Sequence, residues 1–173
     1  MIHKLPARKA LFALMLAWSG ARVSEVLALT PACFQIESGI VAIMTLKRRR
    51  HLVREVPLPT WLMQAVDEAF DLSTAQSDQD LAQLRLWRFH RTTAWRLIKD
   101  VMARARISGR AACPRGLRHG FGVGTLQAGI PLNLVQRWLG HARMTTTAIY
   151  ADAIGPEERS IAARFWAQGE GQT

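Results

Sequence analysis

Nine consecutive apolar residues, Ala10 to Trp18, open the patterned part of the chain, with Pro6 just ahead of them and Gly20 just behind. Proline fits the first turn of a helix and glycine the left-handed position that ends one, so the pattern predicts a helix from about Pro6 to Ser19. A second short helix is expected from Val23 to Leu29, stopped at Thr30-Pro31 because proline pushes the residue before it out of the helical region. The period then changes. Ile36 to Leu46 is rich in Ile and Val around a Ser38-Gly39 turn, and Leu52 to Pro57 is a second β-like run, which together predict a small antiparallel sheet. Leu58-Pro59-Thr60 opens a helix through Phe70, residues 71–80 are polar and turn-like, and a basic helix is expected from about Thr92 to Arg106. From Pro114 onward helices alternate with breaks at Gly129-Ile130-Pro131, Gly140 and Gly155-Pro156. The expected fold class is mainly α with a small antiparallel β-sheet (α+β), and the scattered Met and Trp residues read as core.

At 173 residues, 49% of them hydrophobic, the chain can bury one ordinary core, so residues 1–173 are expected to form a single domain. Lys4, Arg8 and Lys9 ahead of the apolar run, with Ser19-Gly20-Ala21 behind it, imitate a secretory signal. A core helix explains the run better, because nine residues fall far short of the roughly 20 that span a bilayer. Cys33 and Cys113 come with no Cys-x-x-Cys and no paired His spacing, so neither a disulfide framework nor a metal site is expected, and both read as reduced and buried.

Charge changes the picture more. Lys and Arg outnumber Asp and Glu by 23 to 13, a formal net charge of +10, which points to a polyanionic partner, nucleic acid first and an anionic membrane second. The excess is concentrated. Lys47, Arg48, Arg49, Arg50 and Arg54 crowd one segment, and Arg85, Arg88, Arg91, Arg96, Lys99, Arg104, Arg106 and Arg110 follow with only Asp100 among them. Mixed signs would be usual on a merely solvated face, so these two stretches are read as a phosphate-tracking surface, with Arg48, Arg49, Arg50, Arg54, Arg91 and Arg96 as its DNA-binding candidates. Asp67, Glu68, Asp71, Asp78 and Asp80 form an opposing acidic patch, expected to face away from the partner.

Moving a phosphodiester without a metal requires a nucleophile, cations on the non-bridging oxygens and an acid for the leaving oxygen. The chain has candidates for each. It has neither an acidic cluster suited to two-metal catalysis nor a Gly-x-x-x-x-Gly-Lys phosphate loop.

Gly20-Ala21-Arg22-Val23-Ser24-Glu25, followed by Leu27 and Leu29, resembles the first-arginine box of the tyrosine recombinase (phage integrase) family. Gly116-Leu117-Arg118-His119-Gly120-Phe121 is similar to its second-arginine box, and Gly129-Ile130-Pro131 through Leu139-Gly140-His141 resembles the helix and Leu-Gly-His box that follow. Tyr150 stands nine residues after His141, at the family's nucleophile spacing, and is the only tyrosine in the chain. One such box occurs by chance; four in order, over nearly the whole chain, are specific. The resemblance implies the tyrosine recombinase catalytic-domain fold. It also implies an enzyme that cleaves and rejoins duplex DNA through a 3′-phosphotyrosyl link and a free 5′-hydroxyl, with no cofactor, metal or ATP.

Residue by residue, the resemblance makes Arg22 and Arg118 the clamp on the non-bridging oxygens, where planar guanidinium groups can donate paired hydrogen bonds. Lys47, the only lysine between Lys9 and Lys99, is the acid for the leaving 5′-oxygen, and the arginines beside it are poor substitutes because guanidinium scarcely releases a proton. His141 is a phosphate contact, Tyr150 the nucleophile and Glu25 a carboxylate that orients Arg22 or a neighbour. His119 is expected to be buried and structural, while His3, His51 and His90 have no supporting context.

Arg115 stands where the family most often has histidine and sometimes lysine. It keeps a positive donor there but cannot accept the tyrosine's proton. Only about twenty residues precede the first-arginine box, so the family's usual N-terminal DNA-clamping domain is absent from the sequence, as in a minimal protein or a fragment. A one-sided grip then implies salt-sensitive binding unless protomers assemble. The expected partners are double-stranded DNA and further copies of the chain, as a tetramer on DNA, with residues 156–173 as a protomer-docking tail. No membrane and no small-molecule substrate are expected, and the location is cytoplasmic, on the nucleoid. A type IB topoisomerase-like enzyme and a DNA-binding accessory protein with weak or no cleavage are the alternatives.

Overall fold

The computed structural model of the chain describes residues 7–45 and 52–141. Lys47, Arg48, Arg49, Arg50, Tyr150, the break at Gly155-Pro156 and the tail lie outside the described residues.

The apolar run forms α1 (Ala7–Ser19), which carries Phe12, Met15 and Leu16 into the centre of the core. Around it the Phe12 ring meets Trp87 and Phe89 edge-on, at 5.6 and 5.1 Å between centroids, the geometry favoured by opposed ring quadrupoles. Helix α2 (Val23–Val26) is followed by a 3₁₀ turn, Pro31–Cys33. The sheet has the order β1 (Phe34–Gln35), β2 (Ile40–Thr45), β3 (Leu52–Pro57), all antiparallel, with Val41 opposite Val56 and Ile43 opposite Arg54. Its inner face is the alternate set Val41, Ile43, Val56, and this face continues toward the β2–β3 loop with two buried polar side chains, Thr45 and Arg54.

Helix α3 (Thr60–Phe70) buries Leu62, Met63 and Val66, and Asp71, at φ 50°, ends it in the left-handed conformation. Helix α4 (Leu72–Ala75) and a 3₁₀ turn at Leu81–Gln83 follow. Helix α5 (Arg91–Arg104) buries Ala94, Ile98 and Met102 along one stripe and exposes Arg91, Trp95 and Arg96. His90, without context in the sequence, caps it: its Nδ1 accepts from the Thr92 backbone N–H at 3.3 Å. After a 3₁₀ turn at Gly109–Ala111 come α6 (Pro114–Gln127), with proline in its first turn, and α7 (Leu132–Leu139). Four of α6's fourteen residues are glycine, and a Cβ on Gly116 would overlap the carbonyl of Ala111.

The predicted class, mainly helical with a small antiparallel sheet, is the observed one. Several details differ. The second helix ends at Val26, not Leu29, and the sheet has a third strand, two residues long, which an alternation pattern cannot resolve. Residues 71–80 contain α4, anchored by the fully buried Leu72 in an otherwise polar segment. Trp87 is core, with its indole N–H donating to the Arg8 carbonyl at 2.7 Å, but Trp18, Trp61, Trp95 and Met44 are exposed. Trp18 and Trp61 satisfy each other edge-on at the surface. Cys33 and Cys113 are only partly buried, and His119 is exposed where a buried role was expected. Among the described residues no helix is long and apolar enough to cross a membrane.

Candidate active site

The chain leaves α1 through Ser19, whose buried hydroxyl donates to the Met15 carbonyl and accepts from the Ala21 N–H at 3.2 Å. Gly20 follows at φ 61°, and a Cβ there would lie 2.4 Å from the Phe121 ring of α6, so both conformation and space require glycine. This reversal delivers Arg22 to the first turn of α2. Its backbone N–H and its Nη1 donate to the two oxygens of Glu25, at 2.9 and 2.8 Å.

Glu25 has a second guanidinium. Arg54 Nη2 donates to Glu25 Oε2 at 2.6 Å, while its Nη1 donates to Thr45 Oγ1 at 3.0 Å and its Nε to the Trp138 carbonyl at 2.6 Å. The Arg54 side chain is 5% exposed and that of Arg22 27%, so the two share a carboxylate but only Arg22 reaches the surface. This corrects the expectation that Arg54 tracks DNA phosphates with the loop arginines: its donors are committed inside the fold. Burial alone would raise the Glu25 pKa. The Arg54 charge, the Arg22 backbone bond and both guanidinium bonds outweigh that, and hold the carboxyl below its ordinary range.

Arg118, on α6, is buried. Its Nη1 donates to the Gly20 carbonyl and its Nη2 to the Leu139 carbonyl, both at 2.6 Å. The second arginine box therefore grips the residue that opens the first, and also the end of α7. Arg54 and Arg118 together cap two of the last carbonyls of α7, where the helix leaves acceptors without intrahelical donors and favours cations. Beyond them Gly140, at φ 65°, turns the chain, and the His141 N–H returns to the Gln136 carbonyl at 3.1 Å. A Cβ on Gly140 would come 3.1 Å from Arg54 Cδ.

His141 is thus placed among Arg118, Arg22 and Arg54. Burial first, then the charges of those three in that order, lower its pKa from 6.5 to about 4. At neutral pH it is a neutral imidazole, able to donate one hydrogen bond beside the cations. The stability consequence has a definite sign. The unfolded chain takes up the His141 proton near 6.5 and the folded chain only near 4, so the stability is fully present above about 6.5 and is lost as pH falls from there toward 4. The expected result is a melting temperature that drops over this window in the parent protein and drops less in His141→Gln, read by thermal unfolding at fixed ionic strength.

The structure thus brings Arg22, Glu25, Arg54, Arg118 and His141 together, from α2, β3, α6 and the end of α7. Arg115 is exposed in the first turn of α6, one turn before Arg118. Arg91 and Arg96 are on the exposed face of α5 and contribute nothing to this cluster. Nearby, Arg104 pairs with Asp100 at 2.9 Å, and the Lys99 ammonium rests over the Trp95 ring. Beside the cluster, Thr45, Val53, Arg54, Gln136 and His141 line part of a hollow of about 310 Å³ between β3 and α7. The part of Arg54 is what sequence reasoning missed, and strand parity could have found it: Arg54 shares the inward face with Val56.

This arrangement has relatives. The chain is 30% identical over 167 residues to the tyrosine recombinase XerD of Haemophilus ducreyi, an alignment covering 93% of this chain and 55% of that protein. To the tyrosine recombinase XerA of Pyrococcus furiosus it is 29% identical, covering 87% and 52%. The chain spans about half the length of the curated relatives it matches. Its fold is that of the catalytic domain of bacteriophage HP1 integrase, with a TM-score of 0.65 at 20% identity over 90% of this chain and 80% of that one. It is also that of the XerH site-specific recombinase in a post-cleavage complex with a palindromic difH substrate, with a TM-score of 0.73 at 23% identity over 96% and 49%. Residues 1–154 match the phage integrase family, and on that match, with the arginine boxes folded against one another, the chain belongs to this family of tyrosine recombinases.

Proposed function

We propose that this chain is the catalytic domain of a site-specific recombinase or integrase that cleaves and rejoins duplex DNA. The observation that carries the reading is the convergence of Arg22 and Arg118 with His141 through bonds that run between the boxes, Arg118 to Gly20 and to Leu139. Guanidinium groups so fixed need little reorganisation when charge develops on a phosphate.

In the proposed reaction the Tyr150 oxygen attacks the scissile phosphorus and the bond from phosphorus to the 5′-oxygen breaks. Lys47 gives its proton to the departing oxygen. The products are a 3′-phosphotyrosyl link and a 5′-hydroxyl, and rejoining is the same step reversed with another 5′-hydroxyl as nucleophile. The phosphodiester energy is kept in the tyrosyl ester, so no ATP is consumed, and the cations take the place a metal would fill. Arg115 adds fixed charge at the phosphate; the proton of Tyr150 leaves to water or to the phosphate itself, because neither arginine nor an imidazole held neutral by burial and three neighbouring cations is a good acceptor.

Duplex DNA is the proposed partner, met by Arg48, Arg49 and Arg50 and by Arg91 and Arg96 of α5. Assembly of four copies on DNA, with residues 156–173 docking between them, and a cytoplasmic site of action on the nucleoid complete the proposal. The test is a nicked duplex from which the 5′-hydroxyl fragment diffuses away. A covalent protein–DNA adduct stable to denaturant is expected; site occupancy without adduct would favour an accessory DNA-binding protein. Relaxation of a supercoiled plasmid that lacks a recombination site would favour a topoisomerase-like activity.

A further inference from the structure

Arg54 is the least expected member of the cluster. It arises from the sheet, and its three donor nitrogens diverge to three different elements: Glu25 on α2, Thr45 on β2 and the Trp138 carbonyl on α7. Through Glu25 the contact reaches Arg22, whose backbone N–H donates to the same Oε2 that Arg54 holds and whose Nη1 donates to Oε1. Through Trp138, and through the Gly140 backbone seated against its side-chain stem, it reaches the turn that aims His141. Arg22 and the α7 turn are thus linked through Arg54 and, on the other side, through Arg118, which holds the Gly20 and Leu139 carbonyls.

We propose that Arg54 is a positioning residue that fixes Arg22 and the Leu139-Gly140-His141 turn in one rigid relation, so that clamp and histidine form as a unit. It touches neither phosphate nor DNA in this role. The inference rests on the recombinase reading above. Charge alone cannot perform it: an ammonium could replace one partner of Glu25 but could not hold a strand hydroxyl, a carboxylate and a helix-end carbonyl in three fixed directions. A misplacement of about 1 Å in such a site is worth on the order of 10²-fold in rate.

The test compares the parent protein, Arg54→Lys and Glu25→Gln on a pool of short nicked duplexes randomised around the nick, with thermal unfolding of each protein recorded in parallel. Arg54→Lys is expected to fold and to retain duplex binding, but to form adduct about 10²-fold more slowly; Glu25→Gln should show a defect of the same kind. A second pool carries a methylphosphonate at the scissile position, which removes the charge the clamp must stabilise. On that pool most of the Arg54→Lys defect should disappear, which a general loosening of the fold would not produce. Equal defects on both pools, a parental rate in Arg54→Lys, or loss of its unfolding transition would each overturn the proposal. Failure of the parent protein to form adduct on either pool would overturn the recombinase reading instead.

Discussion

In Tyr150→Phe the covalent protein–DNA adduct is expected to vanish while duplex binding is retained. The substitution removes one oxygen, and Tyr150 is the only tyrosine, so no neighbouring phenol can take over. Loss of a nucleophile from an assembled site costs on the order of 10⁴-fold or more, because the remaining cations have nothing to assist. The measurement is denaturing gel analysis of adduct on the nicked duplex, with binding measured separately by anisotropy. Undiminished adduct would mean that another group attacks, and the assignment built on the His141 to Tyr150 spacing would be wrong.

Arg118→Ala should do two things at once. The proposed phosphate clamp would lose a planar, oriented cation, a change worth about 10²- to 10³-fold in the rate of a step that builds charge on oxygen. The carbonyls of Gly20 and Leu139 lose charged donors inside the fold, and two such losses, each about 1–3 kcal/mol, would strip away a large part of a small domain's stability. The expected outcome is a melting temperature lowered by several degrees together with adduct formation near background. Arg118→Lys keeps the charge but reaches one carbonyl at most, so its stability should fall between the two. A variant Arg118→Ala with parental stability would show that these two bonds are replaced by water at no cost.

Much of the helical framework was legible because its signals are local. Gly20 follows the end of α1, Pro114 opens α6 and Gly140 closes α7; each acts through its own backbone restriction. The antiparallel pairing of β2 with β3 followed from two β-like runs and one loop, though not its register. What escaped was set by tertiary packing: α4 exists because Leu72 finds a place in the core, and Trp61 and Trp95 are outside because their helices present other residues inward. The site divides the same way. Arg22, Arg118 and His141 could be named from their boxes, but the contacts that join them span 98 residues in one case and 84 in another, and no local pattern encodes a contact of that range. Arg54 was grouped with its charged neighbours in sequence, whereas its strand parity turns it into the fold.

Helix α6 carries Arg115 and Arg118 on a segment with four glycines in fourteen residues. Each glycine inside a helix costs about 1 kcal/mol relative to alanine, so this segment by itself has little tendency to be helical. Its helicity comes from the surfaces around it: the Phe121 ring against Gly20, Gly116 against Ala111, and the two carbonyls that Arg118 holds. A chain emerging from synthesis, or one opened by a local fluctuation, therefore presents no ordered guanidinium pair to a phosphate. The proposed capacity to cut DNA would arrive only with the completed domain, and hydrogen exchange of the α6 amides should proceed through the same opening that dismantles the site.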